Sequence, residues 1–279
     1  MGGRTETPTS MNSSAGRVLR WTVCCSDQDF GIIYAQLPPV TPTKLSKHKI
    51  SNTMRNYLRL LTCALYCCFC HGFSATNRAG ISITSTEYAN AISTIDQASL
   101  STAPSDNLYD AVRVIDKNAL QIYPDEESKQ ELWNRAYGSW KLVLATGGGK
   151  YRTFKKVPIF AFAMLDENNF GNGVGLNEEK ILLSLLGPHE LITKRRQMII
   201  NIDDVFLGSI KVTNNVPGFL SDGMGLGKRP IDYKKAGGRP PAFTFIAASE
   251  ISLVARGGSG GFAIWTRLEN DIRPAAYSS

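Results

Sequence analysis

The second half of the chain is dominated by short apolar segments with a hydrophobic period of two. This period begins at Trp140 and is that of a β-strand, whose successive side chains point to opposite faces. Most segments are bounded by Gly, Pro, Asn or Asp. The eight candidate strands are WKLVLAT (140–146), PIFAFAML (158–165), KILLSLLG (180–187), QMIINID (197–203), VFLGSIKV (205–212), AFTFIAAS (242–249), ISLVARG (251–257) and GFAIWTRL (261–268).

Most of these candidate strands follow one another without a helical pattern between them. Short strands separated by turns favour an antiparallel barrel or sandwich over parallel strand–helix–strand units. The sequence therefore predicts a mainly β domain over residues 138–273, built as an antiparallel barrel of about eight strands.

One connection between the strands is much longer than a turn. Residues 216–241, VPGFLSDGMGLGKRPIDYKKAGGRPP, are rich in Gly, Pro and Lys, which predicts a large loop at one end of the barrel. Five cations of this loop are candidates for contact with an anionic lipid surface: Lys228, Arg229, Lys234, Lys235 and Arg239.

Two helical patterns precede the strands, in the segment 106–137. Leu108, Val112 and Ile115 have helical spacing, and Asp106 is a candidate N-cap. After Pro124, the stretch DEESKQELWNRA has acidic residues in its first turn and an arginine in its last, as the helix dipole favours. The barrel is therefore expected to follow one or two helices.

The N-terminal residues have the composition of targeting sequence. Residues 54–72 start with Arg55 and Arg59, continue with an apolar core too short to span a bilayer, and end at a small residue, as a signal peptide does. Residues 73–105 are rich in Ser, Thr and Ala and poor in acids, which is typical of a transit peptide. We interpret residues 1–53 as leader sequence or the product of a misplaced start codon.

Two alternatives remain for these segments. The apolar core of residues 54–72 is also compatible with a buried helix, and residues 73–105 with the flexible N-terminus of a secreted protein. However, the junction has Phe73 directly after the signal-like segment and Arg78 shortly afterwards. This order resembles the bipartite plastid presequence of algae whose plastids have extra membranes. A plastid is therefore the expected location.

Charge and cysteine content exclude several functional classes. Residues 1–72 hold 8 Lys/Arg against 3 Asp/Glu, whereas residues 73–279 hold 23 against 21. A nearly balanced domain lacks the broad basic surface that nucleic acid requires. All six cysteines precede residue 71, so the remaining chain can form no disulfide, and CCFC (67–70) lacks a second ligand pair at zinc-finger spacing. We expect no metal and no cofactor.

Two glycine-rich stretches resemble functional motifs but lack required features. ATGGGKYRT (145–153) has Leu144 where a P-loop needs glycine, and Tyr151 where it needs Ser or Thr. GGSGG (257–261) centres on Ser259, but a strand candidate lies on each side, whereas a hydrolase elbow needs a helix after it. We therefore interpret the first stretch as a connection between strands and the second as a hairpin turn, and we expect no catalytic residue.

Large apolar side chains on the predicted strands could line a ligand cavity. The candidates are Phe160, Phe162, Met164, Phe243 and Phe245, of which the first three share one face of their strand. An eight-stranded barrel has an interior that either fills with side chains or holds one small ligand. A plain hydrophobic core therefore remains the alternative for these residues.

The start and the end of the strand region carry a further pattern. Gly138, Ser139 and Trp140 form a Gly-x-Trp at the first strand, and Arg267 lies in the last one. This resembles the lipocalin-like arrangement, in which the indole lies at the closed end of the barrel and a basic residue packs over it. With the plastid-like presequence, the preceding helices and the closing GGFAIWTRL, the chain resembles the plastid lipid-associated protein family, the plastid fibrillins, over roughly residues 107–270.

The resemblance implies a lipocalin-like barrel in the plastid that binds isoprenoid or acyl lipids or pigments at plastoglobules or thylakoids, without catalysis. Two other functions stay open. One is a barrel-class enzyme acting on a lipid or pigment through His189, Asp203 and Ser259. The other is a scaffold attached to photosynthetic membranes whose barrel is filled.

Overall fold

The computed structural model describes residues 82–147 and 151–272. The predicted leader (1–53), the predicted signal peptide (54–72) and residues 73–81 of the transit-like segment lie outside the described residues.

Ten strands of the described chain form one antiparallel sheet. They are β1 (Gly138–Ala145), β2 (Lys155–Leu165), β3 (Asn169–Gly175), β4 (Ile181–Ile192), β5 (Gln197–Ile200), β6 (Asp204–Leu207), β7 (Ile210–Lys211), β8 (Ala242–Ala248), β9 (Ser252–Gly257) and β10 (Phe262–Arg267). The order β3-β2-β1-β10-β9-β8-β5-β4 closes because β3 also pairs with β4, while β6 and β7 extend from β4. The predicted mainly β fold, an antiparallel barrel of about eight strands after helices, is confirmed.

Strand β3 is missing from the predicted strands because its outward-facing residues are glycines. In register, Gly171, Gly173 and Gly175 face Met164, Phe162 and Phe160 of β2. A Cβ atom on Gly173 would lie 2.3 Å from the Leu183 carbonyl oxygen and 2.7 Å from a ring carbon of Phe162. Glycine at this position therefore allows the Phe162 ring to lie over β3, and it removes the hydrophobic alternation by which strands are recognised.

The predicted strand 205–212 is two strands, β6 and β7, joined at Gly208, whose φ of +59° suits a tight turn. β6 continues the path of β5 along the same edge of β4. Residues 189–192 of β4 pair with β5, and residues 183–186 pair with β6. The pair β5 and β6 thus forms one bent wall of the barrel.

Four helices precede the barrel in the described chain, rather than one or two. They are α1 (Ser85–Ser101), α2 (Leu108–Lys117), α3 (Ala119–Ile122) and α4 (Glu126–Ala136). Asp125 caps α4 by accepting a hydrogen bond from the Ser128 backbone amide at 2.8 Å. The cap position of α2 is Asn107 rather than the predicted Asp106, and its side chain makes no capping hydrogen bond.

Helix α1 lies inside the segment 73–105 that the sequence assigns to a transit peptide. Its buried residues include Ala91, Ile95 and Ala98, which pack in one cluster with residues of α2 and the outer faces of β8, β9 and β10. Helix α1 is therefore part of the fold that the described residues form. The small residues that suggest a targeting composition are the ones that let this helix approach the barrel wall.

Hydrogen bonds also fasten α1 to the barrel. The Ser99 and Thr266 hydroxyl oxygens lie 2.6 Å apart, which joins the end of the helix to β10. The Asp96 carboxylate accepts hydrogen bonds from the hydroxyls of Ser249 and Ser252, at 2.7 and 2.6 Å. Ser249 lies in the β8–β9 connection and Ser252 begins β9, so the Asp96 carboxylate holds this hairpin against α1.

The largest hydrophobic cluster fills the inside of the barrel. Phe170 of β3, Phe243 of β8 and Trp265 of β10 follow one another, with ring centroids 6.0 and 5.9 Å apart. Helix α4 contributes Trp133, which is fully buried and contacts the Phe245 ring edge-on at 4.9 Å. These aromatic contacts are those of a packed core.

The long predicted loop 216–241 contains two short helices, α5 (Gly218–Met224) and α6 (Pro230–Lys235). Val216, Met224 and Leu226 of this segment pack against the interior cluster. The Gly227 amide donates to the Ile202 carbonyl at 2.7 Å, which ties the segment to the strand wall after β5. None of the helices in the described chain has both the length and the apolar character that a membrane crossing requires.

Candidate ligand-binding site

The start of β1 and the end of β10 form a tightly bonded corner. The Trp140 side chain is fully buried, and its indole N–H donates to the Ala136 carbonyl at 2.8 Å. The Arg267 guanidinium carbon lies 4.1 Å from the Trp140 ring centroid, a cation–π contact. This is the contact that the lipocalin-like resemblance implies.

The same guanidinium binds three backbone carbonyls. Arg267 donates to Glu250 at 3.0 Å, to Tyr137 at 2.9 Å and to Arg135 at 2.6 Å. Partial burial of this group lowers the pKa of Arg267. Gly138 is required here, because its φ is +127° and a Cβ atom would lie 2.7 Å from an Arg267 terminal nitrogen. The corner joins the start of β1, the end of β10 and the end of α4 through these contacts.

The structure separates the five predicted cavity-lining residues. Phe243 and Phe245 belong to the interior cluster. Phe160, Phe162 and Met164 face the outside, because the inward positions of β2 are Ala161, Ala163 and Leu165. The alternation of β2 is as predicted, but the smaller residues face the interior. These three large side chains therefore cannot line a ligand site inside the barrel.

The outward side chains of β2 have two kinds of surroundings. Phe162 packs with Phe160 and with Ile272 of the C-terminal segment, and Met164 packs with Leu186 and Phe206. Phe162 and Met164 are almost fully buried, whereas Phe160 also borders open space. Phe160 lines the larger cavity described next, and Met164 lines a smaller one of about 360 Å³ beside Tyr137 and Gly138.

A cavity of about 1060 Å³ lies against the outer faces of β1 and β2. Its floor includes Lys141 and Phe160, one wall is the β3–β4 connection (176–180), and the other is the segment 270–272 after β10. We call this space the outer groove. Its volume lies at the upper end of the range of small-molecule sites. Neither Phe243 nor Phe245 lines the outer groove.

A bulge in β2 shapes the rim of the outer groove. From Leu142 to Leu144, β1 advances two residues, while β2 goes back five, from Ala161 to Lys156. The extra residues include Pro158, which has no amide hydrogen to donate to a neighbouring strand. As a result, Ile159 is 41% exposed beside the groove, and Leu176 across from it is 65% exposed.

Two of the five predicted membrane-contacting cations are held in ion pairs. Arg229 binds Asp203 through two hydrogen bonds of 2.6 and 2.9 Å, which raise the pKa of Arg229. Lys228 pairs with Asp222 at 3.2 Å. Lys234, Lys235 and Arg239 are exposed, and Ile231, at 54% exposure, lies on α6 one turn before the two lysines.

The three residues of the enzyme alternative do not form one site. His189 Nε2 lies 2.8 Å from the Asp166 carbonyl, and its backbone bonds Asn168 in the β2–β3 turn, beside the start of β1. Ser259 lies in the β9–β10 turn, beside the end of β1, and therefore at the other end of the barrel. Asp203 is engaged by Arg229. Within residues 82–147 and 151–272, no group of three or more His, Cys, Asp or Glu side chains could hold a metal ion.

The sequence reasoning missed two contributors to the outer groove. Lys141 is the only charged residue in the predicted strand WKLVLAT, and its outward position beside Trp140 could have been noticed from the alternation. Ile272 gives no such signal, because its contact with Phe160 and Phe162 depends on how the chain turns after β10.

Comparisons with known proteins give limited matches. No family model matches the chain, and no curated protein matches it significantly. A solved lipocalin-like protein from Bacteroides uniformis ATCC 8492 is similar at 18% identity and a TM-score of 0.30, over 48% of this chain and 99% of that chain. An uncharacterized protein from Bacteroides eggerthii DSM 20697 is similar at 12% identity and a TM-score of 0.30, over 47% and 98%. The barrel assignment rests on the strand pairing itself.

Proposed function

We propose that this protein binds a hydrophobic small molecule, an isoprenoid or acyl lipid or a pigment, and that it catalyses no reaction. The observation that carries the proposal is the outer groove, a cavity of about 1060 Å³ with Phe160 in its floor and exposed Ile159 and Leu176 at its rim. Covering such side chains with an apolar ligand removes hydrocarbon surface from water, at about 25 cal/mol per Å². A few hundred Å² is enough for micromolar affinity after the cost of association.

The separation of the candidate groups supports the proposed absence of catalysis. A hydrolase site needs a nucleophile within hydrogen-bond reach of a base. Ser259 and His189 lie at opposite ends of the barrel, and the imidazole of His189 is held by a backbone carbonyl. The protein is therefore expected to convert no lipid in a reaction that depends on His189. A lipid-converting activity of the wild type that is lost in His189→Gln would instead favour the enzyme alternative.

A matched pair of isoleucines tests the binding site. Ile159 and Ile231 are both exposed, at 41% and 54%, but only Ile159 borders the outer groove. Ile159→Ser in the full chain is expected to weaken binding of a fluorescent fatty acid about threefold to tenfold, while Ile231→Ser leaves it unchanged. Equal affinities for all three proteins would place the site elsewhere. No uptake by the wild-type protein, together with no lipid in extracts of the native protein, would reject binding altogether.

We also propose that the protein acts in a plastid, at a membrane or lipid body, as the plastid fibrillin resemblance implies. The support is the order of the signal-like segment 54–72 and the transit-like segment 73–105, with Phe73 at the junction. A fluorescent fusion to the full chain should colocalise with chlorophyll, and removal of residues 1–72 should abolish this. A secreted fusion would favour the alternative of an extracellular protein.

A scaffold with a filled barrel is the second candidate. The contacts among Phe170, Phe243, Trp265 and Trp133 favour it, because they occupy the space that an interior ligand would need. The two functions give different results on native purification. A binding protein carries a defined lipid or pigment that mass spectrometry of the extract identifies, whereas a scaffold yields none.

A further inference from the structure

The floor of the outer groove contains a cation without a carboxylate partner. Lys141 is half-buried on the outer face of β1, and its ammonium nitrogen lies 5.8 Å from the centroid of the Phe160 ring. Among residues 82–147 and 151–272, no carboxylate forms an ion pair with it. A cation that loses part of its hydration on folding is stabilised by an anion, which a bound ligand can supply.

The strands hold this lysine in one place. Lys141 pairs in register with Phe162 of β2 and with Thr266 of β10, so it lies in the middle of three hydrogen-bonded strands. The side chain therefore leaves the sheet at a fixed point rather than from a mobile loop. Such a position suits a group that orients a ligand.

An apolar surface leads away from the ammonium. Phe160 lies next to it, Ile159 and Pro158 form the bulged rim, and Leu176 and Ile181 lie across the groove. Glu178 and Glu179 place negative charge at the rim on the Leu176 side, and Asp271 lies on the other wall. Two further lysines line the groove, Lys156 and Lys180, but both are exposed, whereas Lys141 is half-buried. A ligand with its anion at Lys141 and a hydrocarbon chain along Phe160 would match both features.

We infer that the outer groove binds a single-chain amphiphile with an anionic headgroup, and that Lys141 pairs with that headgroup. The inference rests on the proposed binding function and narrows it to ligands that carry a carboxylate or a phosphate at one end of an alkyl or prenyl chain. Lys141 is the specificity-determining residue, and Phe160 contacts the chain next to the headgroup. Neutral pigments and esterified lipids are then the poorer ligands.

The test compares oleate, oleoyl lysophosphatidate and methyl oleate on the full chain. Wild-type protein is expected to bind the two anions about tenfold or more tightly than methyl oleate, because a partly desolvated ion pair of this kind changes affinity by about that factor. Lys141→Met keeps the aliphatic stem and removes the charge, so it should lower affinity for both anions to that of the ester. Lys141→Arg should restore most of the difference. Lys194→Met, an exposed lysine in the β4–β5 turn that does not line the groove, is the matched control.

A second variant tests the location independently of Lys141. Ser209 lines the groove and is exposed, so Ser209→Trp should narrow it without disturbing the core, and Glu127→Trp on α4 serves as its control. Ser209→Trp is expected to weaken binding of all three ligands. Affinities for all three ligands that Ser209→Trp leaves unchanged, or oleate binding by Lys141→Met equal to the wild type, would overturn the inference.

The two proposals fail in different ways. Wild-type protein that binds methyl oleate as tightly as oleate keeps the proposed function and rejects the headgroup assignment. Wild-type protein that binds none of the three ligands rejects the headgroup assignment, and it rejects the proposed function as well if the native protein also carries no lipid or pigment. Circular dichroism and thermal unfolding of each variant confirm that the barrel is intact before affinities are compared.

Discussion

The guanidinium of Arg267 lies 4.1 Å from the ring of Trp140 and donates to carbonyls from the end of α4 and from the β8–β9 turn. One side chain of the last strand thus bonds to two distant parts of the chain and covers the indole of the first strand. This corner fixes how β1, β10 and the preceding helix meet.

Truncation of either residue should measure the strength of this corner. Trp140→Ala is expected to lower the free energy of unfolding by about 3–5 kcal/mol, because it removes a fully buried indole. Arg267→Ala should cost less, since part of the guanidinium is exposed to water. Urea unfolding followed by circular dichroism gives both values. A loss below about 1 kcal/mol for Trp140→Ala would show that the indole is not part of the packed core.

Glycine in β3 should be essential for closing the barrel. Gly173→Ala is expected to lower the free energy of unfolding by more than about 2 kcal/mol, because the new methyl group would lie 2.3 Å from a backbone oxygen of β4. Gly218→Ala is the control, since nothing lies within 4 Å of its Cβ position and it begins a helix. If thermal unfolding shows equal midpoints for the two variants, β3 does not pack between β2 and β4 as described.

Helix α1 should be needed for a stable domain although it lies in transit-like sequence. The reference is a variant that lacks residues 1–81 and keeps α1. A variant that lacks residues 1–105 loses α1 and uncovers Val254 and Ile264, which α1 and α2 cover together. It should unfold at a clearly lower temperature or aggregate. Scanning calorimetry of both variants decides the matter, and equal midpoints would show that α1 is dispensable.

Membrane association, if it uses the segment 216–241, should depend on the cations that form no ion pair within the described residues. Lys234→Glu with Lys235→Glu is expected to weaken sedimentation with phosphatidylglycerol vesicles by roughly tenfold or more, and the loss should shrink at high salt. Arg229→Ala should affect stability more than vesicle binding, because Arg229 is bound to Asp203. Vesicle binding that falls equally in both variants would show that the ion-paired Arg229 contributes to membrane contact as much as the two lysines do.

The sequence predicts those features that depend on local alternation or helical spacing. Seven of the eight predicted segments each coincide with a single strand, and the eighth splits at Gly208. The helix predicted after Pro124 is also present, as α4. The burial of Trp140 beside Arg267 follows from the Gly-x-Trp motif in the first strand and the arginine in the last strand. In each case a few neighbouring residues carry the information.

The features that the sequence does not reveal depend on tertiary contacts. The glycines of β3 are identifiable as strand residues only once Phe162 and Leu183 are placed around them. Alternation in β2 gives two faces, but which face is inside depends on the neighbouring strands, so Phe160 was assigned to the interior although it faces the outer groove. The bond between Arg229 and Asp203 joins residues 26 positions apart, and no local pattern indicates it.

The placement of β10 between β1 and β9 has a consequence for how the protein is made. On the ribosome, β1 is synthesised more than a hundred residues before the strand that completes its hydrogen bonding, so one of its edges stays unpaired until residues 262–267 emerge. An unpaired edge can associate with other chains, and such late, long-range pairing slows folding. The nascent protein should therefore depend on chaperones until translation is nearly finished, and chains that stop before Phe262 should be cleared rather than accumulate.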